Sequence, residues 1–220
     1  MNKPVVIAVD GTAASGKGTL AKKLARHFNF PHLDSGALYR LTALAVLEKK
    51  GDPTNEADAV KGARAIDLSR AGDPAIRTDV VGKAASNVAA IPAVRQALFD
   101  FQRDFLLSPP GHAEGAVMDG RDIGTVIAPD AVAKLFVDAA PATRAHRRCK
   151  ELQGLGINRA EAEVLAEINA RDAADRSRPI SPLKQADDAF LLDTTDLDID
   201  AAFAAALSLV EAKVRSALKR

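Results

Sequence analysis

Val6-Ile-Ala-Val-Asp-Gly-Thr-Ala-Ala-Ser-Gly-Lys-Gly-Thr19 decides the reading of this chain. Val5 to Val9 is a β-branched run without alternation, which predicts a short strand buried on both faces. A glycine-rich turn follows, then Thr19 to Phe28 with Leu20, Leu24 and Phe28 at helical spacing. Between a buried strand and a helix, glycines let backbone N–H groups turn inward to meet phosphate oxygens, and Lys17 would add a point charge. Gly11, Gly16 and Lys17 fit the pattern G-x-x-x-x-G-K-[ST], but Gly18 holds the hydroxyl position and Thr19 comes one place late. The bland alternative is an ordinary glycine-rich turn between strand and helix.

The rest of the composition bounds what such a loop can serve. A chain of 220 residues, 47% apolar, can build one α/β domain with smaller lobes inserted. Aromatics make up 4% with no Trp, which disfavours base-stacking platforms. The net charge of +1 supplies no bulk field for polyanions, so any anion recognition is local and no nucleic-acid partner is expected. Cys149 is the only cysteine, which excludes an internal disulfide and a cysteine-built zinc site. His27, His32, His112 and His146 show no ligand spacing. Met1 to Pro4 leads into an apolar run too short for a signal segment or a membrane span, so a soluble, cytoplasmic protein without a membrane partner is expected. No long apolar stripe demands a second copy, and the expected state is a monomer.

Further along, Ser35 is a candidate N-cap for a helix that continues to Leu47. Thr54 to Ala90 holds short helical patterns broken by Ala71-Gly-Asp-Pro74 and no convincing strand, which predicts an inserted lobe. Val94 to Leu107 is amphipathic, and Ser108-Pro-Pro-Gly111 is a loop. Ala116 to Met118, Lys134 to Asp138 and Phe190 to Asp193 are candidate strands, with helices from near Pro141, from Ala160 to Asp175 and from Ile199 to Ala217. Strands alternating with helices predict an α/β fold with a parallel sheet flanked by helices.

Transfer between two phosphates asks for in-line positioning and positive charge, which planar guanidinium groups supply in two-pronged fashion. Arg40 lies early in the second helix, with a solvated helix arginine as its alternative. Arg121 follows a buried strand, at the carboxyl edge where parallel sheets bind ligands. Asp119 ends that strand and could hold magnesium through water, or simply form a turn with Gly120. Arg171, Asp175 and Arg178 recur at i, i+4 and i+7, and Asp172 pairs in spacing with Arg176. Salt-bridge lacing accounts for the second pair; an arginine flap accounts better for Arg178, placed just before Pro179. Arg144-Ala-His-Arg-Arg-Cys-Lys150 reads as a solvated helix face, with Arg147 spaced to pair with Glu151.

Gly-Lys-Gly-Thr resembles the loop of nucleoside monophosphate kinases, and the chain as a whole resembles bacterial cytidylate kinases. The likeness rests on Leu33-Asp-Ser-Gly-Ala-Leu-Tyr-Arg40, Asp119-Gly-Arg-Asp-Ile-Gly-Thr125 and Arg171-Asp172 with Asp175-Arg-Ser-Arg178. It implies a three-layer body of the P-loop NTPase type over residues 1–220, with a monophosphate-binding insert at roughly 51–92 and a lid at roughly 171–185. The implied activity is ATP- and Mg2+-dependent phosphorylation of CMP and dCMP. Gly11, Thr12, Ala13, Ala14, Ser15, Gly16, Lys17, Gly18 and Thr19 would line ATP, with magnesium near Thr19 and Asp119. Ser35, Arg40, Arg121 and Arg178 would hold the acceptor phosphate, Arg171 and Asp175 the sugar hydroxyls, and Ser86, Arg95 and Asp122 the cytosine. Lys17, Arg121, Arg171 and Arg178 would act on the moving phosphoryl group. Members of that family carry an extra strand segment in the insert and another lid arginine, where this chain has a short stretch and Ala174.

Two rivals compete. A kinase for UMP or for both pyrimidines differs at the base reader Asp122. A nucleotide switch or RNA-binding factor would want an Asn-Lys-x-Asp motif or a basic stripe; the sole Asn-Lys is Asn2-Lys3, ahead of the loop.

Overall fold

A computed structural model describes residues 3–154 and 156–219; Met1, Asn2, Leu155 and Arg220 lie outside them. The chain divides into two compact units, one of Met1–Leu33 with Leu106–Arg220 and one of Asp34–Phe105.

The first unit is built on a five-stranded sheet: β1 (Val5–Gly11), β2 (His32–Asp34), β3 (Gly115–Gly120), β4 (Ala133–Asp138) and β5 (Phe190–Asp193), in the order β2-β3-β1-β4-β5. β1 pairs in parallel with β3 on one side and β4 on the other, and β4 with β5. Its helices are α1 (Lys17–Phe28), α6 (Pro141–Gly154), α7 (Glu161–Ser177) and α8 (Ile199–Leu218). The apolar run predicted for β1 is buried throughout, because Ile7 and Val9 pack with Leu20 and Leu24 of α1 and Val210 and Val214 of α8. A smaller cluster joins Ala145 and Leu152 of α6 to Val164 and Ile168 of α7. β1 sits at a switch point: the loop after it leads to one side of the sheet and the loop after β3 to the other. Such a divergence opens a crevice at the carboxyl edge, where open parallel sheets bind ligands.

The second unit holds α2 (Ser35–Glu48), α3 (Glu56–Arg64), α4 (Asp79–Ala90), 3-10 turns at Leu68–Gly72 and Pro74–Arg77, and all but the last two residues of α5 (Pro92–Leu107). Residues 35–105 contain no strand, and over Thr54 to Ala90 the broken helical patterns predict this. The compact unit contains residues 51–92 and also α2, which is apolar on most of its circumference and is covered by α3 and α4. α3 crosses α2 closely at Gly62, where an added Cβ would lie 2.6 Å from Val46 Cγ2 and 2.9 Å from the Thr42 carbonyl oxygen. Asn55 and Thr78 cap α3 and α4 through their side chains.

The Ser35 cap is corrected: the N-cap of α2 is Asp34, whose carboxylate accepts from the Ala37 N–H at 3.1 Å. β2 has only three half-buried residues and gives no periodic signal of its own. Among the described residues, no helix is long and apolar enough to cross a membrane.

Candidate active site

The loop after β1 is shaped by sterics first. An added Cβ at Gly11 would lie 2.0 Å from the Val137 carbonyl oxygen of the neighbouring strand, so only glycine fits. Gly16 has open space around it but a φ of 87°, where side chains are strained. Side chains then hold the loop from outside. The Thr12 hydroxyl donates to Asp138 Oδ1 at 2.7 Å, and the Ser15 hydroxyl to the Thr12 carbonyl at 3.1 Å. Thr194 Oγ1 donates to the Ser15 carbonyl at 3.0 Å and Arg144 Nη1 to the Ala13 carbonyl at 3.1 Å. With these carbonyls engaged, the loop delivers the chain into α1 at Lys17. Gly16 offers no side-chain cap and the first turn carries no acid, so the positive end of the helix is left for an anion.

Asp119, buried at the end of β3, takes a 2.7 Å hydrogen bond with His32 Nε2 through Oδ1. Its Oδ2 faces Gly18, where a Cβ would stand 3.5 Å away. The missing hydroxyl of the loop pattern thus falls beside this carboxylate, while Thr19 is exposed. Hard oxygen donors of this kind suit magnesium, and Asp119 Oδ2 is the carboxylate oxygen that faces the loop at Gly18. Among the described residues, no three His, Cys, Asp or Glu side chains come together as a metal-binding group.

The loop after β3 bends into a π-helical turn at Ile123–Ile127, headed by buried Asp122. Asp10, at the end of β1, sets that bend: its Oδ1 accepts from the Ile123 N–H at 2.8 Å and its Oδ2 from the Gly124 N–H at 2.7 Å. Burial pushes the Asp10 carboxyl up to about 7, with the two N–H groups opposing and the nearby Asp122 charge adding to the rise. Arg121, preceding Asp122, donates from Nε to Asp175 Oδ2 at 2.8 Å. Burial alone would raise the Asp175 carboxyl, but Arg121, Arg171 and Arg178 hold it below the usual carboxylate range. Arg171 and Asp175 thus share a face of α7, Arg178 ends the helix instead of continuing that face and lies 4.0 Å from Asp175, and the three gather with Arg121.

Three readings of basic and acidic residues are corrected. Asp172 is not laced to Arg176: it is buried and pairs with Arg144 at 2.6 Å, while Arg176 lies 3.9 Å from Asp138. Arg144 is not on a solvated face; at 2% exposure it is the bulkiest fully buried side chain among the described residues. Arg147 does not point outward to Glu151 but donates to Thr194 Oγ1 and to the Thr194 and Leu197 carbonyls, and Glu151 pairs with Arg148.

In the second unit, Ser35 is buried in the first turn of α2. Arg40 donates to the Ile76 carbonyl and lies across Gly82 of α4, where a Cβ would stand 3.4 Å from its Nη2. Ser86, one turn on, donates to the Gly82 carbonyl at 3.3 Å. Arg95 is buried, donates to the Ala89 carbonyl at 3.4 Å and stands over the Tyr39 ring. Arg40, Ser86 and Arg95 thus collect on neighbouring surfaces of α2, α4 and α5. The residues the sequence reading missed are Asp10, Asp138, Arg144 and Thr194. Asp10 and Asp138 left a signal, each as a charge closing an apolar run.

The family model for cytidylate kinase matches residues 7–212. A cytidylate kinase of Afipia carboxidovorans is 53% identical over 207 residues, covering 94% of this chain and 97% of the relative. One from Rhodopseudomonas palustris strain TIE-1 is 53% identical over 216 residues, covering 98% and 100%. Among solved structures, a gluconokinase from Sinorhizobium meliloti aligns with a TM-score of 0.50 at 13% identity, over 98% of this chain and 97% of its own. That likeness is one of fold.

Proposed function

This chain belongs to the cytidylate kinase family, and from that premise we propose that it transfers the terminal phosphoryl group of ATP to CMP and dCMP, giving CDP and dCDP. The observation that carries this reading is the braced glycine loop opening onto an uncapped helix with Lys17 at its start.

An acceptor phosphate oxygen is already an anion, so it attacks the γ-phosphorus without a general base. The new P–O bond forms as the bond to ADP breaks, in line. What the protein supplies is position and positive charge. Gly11 to Thr19 bind ATP, with the loop amides and Lys17 on its outer phosphates. Magnesium, when bound with ATP, neutralises phosphate charge; Asp119, and Thr19 on the exposed side, are the residues that would hold it through water. In the first unit, Arg121, Arg171 and Arg178 act on the acceptor phosphate and the transferring group, and Asp175 with Arg171 meets the sugar hydroxyls. In the second unit, Ser35 and Arg40 hold the acceptor phosphate, and Ser86 and Arg95 the base.

Asp122 completes base reading. A buried carboxylate accepts a hydrogen bond from the N4 amino group of cytosine; uracil presents an acceptor instead, and two acceptors face to face leave both unpaired. The enzyme works as a cytoplasmic monomer on small nucleotides, which a sedimentation measurement of the pure protein tests.

The deciding assay is ADP release with ATP and magnesium against CMP, dCMP, UMP, AMP and GMP in parallel. CMP and dCMP are expected to lead by a wide margin. Equal rates with UMP would turn the reading into a broad pyrimidine kinase, in keeping with the strandless second unit. No acceleration by any monophosphate would sink it.

A further inference from the structure

Arg144 satisfies three acceptors in three directions from a site closed to solvent. Nε reaches the Ala139 carbonyl at 2.8 Å, Nη1 the Ala13 carbonyl of the glycine loop at 3.1 Å, and Nη2 the Asp172 carboxylate of α7 at 2.6 Å. Asp172 stands one residue after Arg171 and three before Asp175, on the turn that carries the α7 part of the site. Stability alone does not account for this arrangement. A buried ion pair repays its desolvation poorly, and well-packed apolar residues of similar volume commonly do as well or better. What an apolar pair cannot do is hold a loop carbonyl and a helix turn through one rigid, planar fork.

We propose that Arg144 is a positioning residue for phosphoryl transfer: with Asp172 it links the glycine loop to the last turns of α7, so that filling the loop sets Arg171 and Arg178. The proposal rests on the glycine loop being the ATP phosphate site. It acts through Asp172 and Ala13 and touches no substrate. Because the fork has one nitrogen for each acceptor, lysine keeps the charge but cannot hold all three.

The test is amide hydrogen exchange of the full chain with and without ATP–magnesium, followed at residues 11–20 and 168–178. In the wild type, ATP alone, with no monophosphate, is expected to protect both stretches. In Asp172→Asn, which leaves the Arg144 bond to Ala13 in place, loop protection persists while protection of 168–178 falls about threefold or more. In Arg144→Lys both fall. In the folded variants kcat drops about tenfold or more with KM for CMP within about twofold, as expected when a transition-state contact is misplaced. Full protection of 168–178 in Asp172→Asn overturns the proposal. So does a wild type in which ATP protects the loop and leaves 168–178 unchanged, a result that needs no variant to fold. If ATP protects neither stretch in the wild type, the phosphate-site reading falls and takes the proposal with it.

Discussion

Lys17 stands at the first position of α1, where on the proposed reading the helix dipole and the ammonium act on the same phosphates. Lys17→Ala removes the side-chain charge and leaves the backbone cradle braced, so kcat falls about 10²–10³-fold while the thermal midpoint is unchanged. Near-normal turnover would show that the loop does not handle phosphate. Asp122→Asn replaces an acceptor by a group that also donates; kcat/KM for CMP falls about 10²-fold and that for UMP holds or rises. Equal loss for both bases would remove Asp122 from base reading. Asp10 answers to pH. Its carboxyl titrates near 3.8 in the unfolded chain and at about 7 when folded, so the folded state holds the proton more tightly. The stability this confers is complete below about pH 4, declines as pH rises towards 7 and is flat above; at about 1.4 kcal/mol per pKa unit the loss is bounded near ~4 kcal/mol. The unfolding free energy of the wild type, measured against Asp10→Asn from pH 4 to 8, should lose ground through that window. Parallel curves would mean that Asp10 titrates normally.

At the scale of elements, close approach outweighs propensity. Gly62 lies inside α3, where alanine would ordinarily gain about 1 kcal/mol. Its missing Cβ would overlap Val46 and crowd the Thr42 backbone of α2, at an overpacking cost of about 1–3 kcal/mol. Gly62→Ala therefore lowers stability by a net of up to ~2 kcal/mol in urea titration, and a gain would mean that α3 can shift freely on α2. Elements were legible where one segment carries its own signal. β1, β4 and β5 announce themselves as apolar runs, and α1 and α8 by period. β2 does not, with three half-buried residues, and the π-turn at Ile123–Ile127 is imposed by Asp10, 113 residues earlier. Arg144 looked solvated because its acceptors, Ala13 and Asp172, are distant in sequence. Asp34 displaced Ser35 as the cap of α2 since a carboxylate two bonds from the backbone reaches Ala37 readily.

For the whole molecule, position and spacing singled out Arg121, Arg171, Asp175 and Arg178 and the family likeness gave them expected roles; the first unit brings these four together. It did not reveal what braces them, because braces are chosen by three-dimensional proximity. If residues 171–185 act as a lid, ATP with CMP slows protease cleavage there by about tenfold, whereas either nucleotide alone slows it less. A cleavage pattern indifferent to nucleotides would assign the segment a static role.

The hydroxyl of Thr194 that steadies the Ser15 carbonyl comes from 179 residues downstream. On the ribosome, the glycine loop therefore emerges long before the residue that finishes it. β1 must wait for β3 and β4 to flank it, and the loop waits longer still, for the stretch after β5. Chains dominated by such distant pairings fold slowly, and their early segments stay exposed meanwhile. A nascent chain stopped short of residue 194 would carry the whole glycine motif and still lack one of the side-chain bonds that hold it, so the loop is completed only late in synthesis.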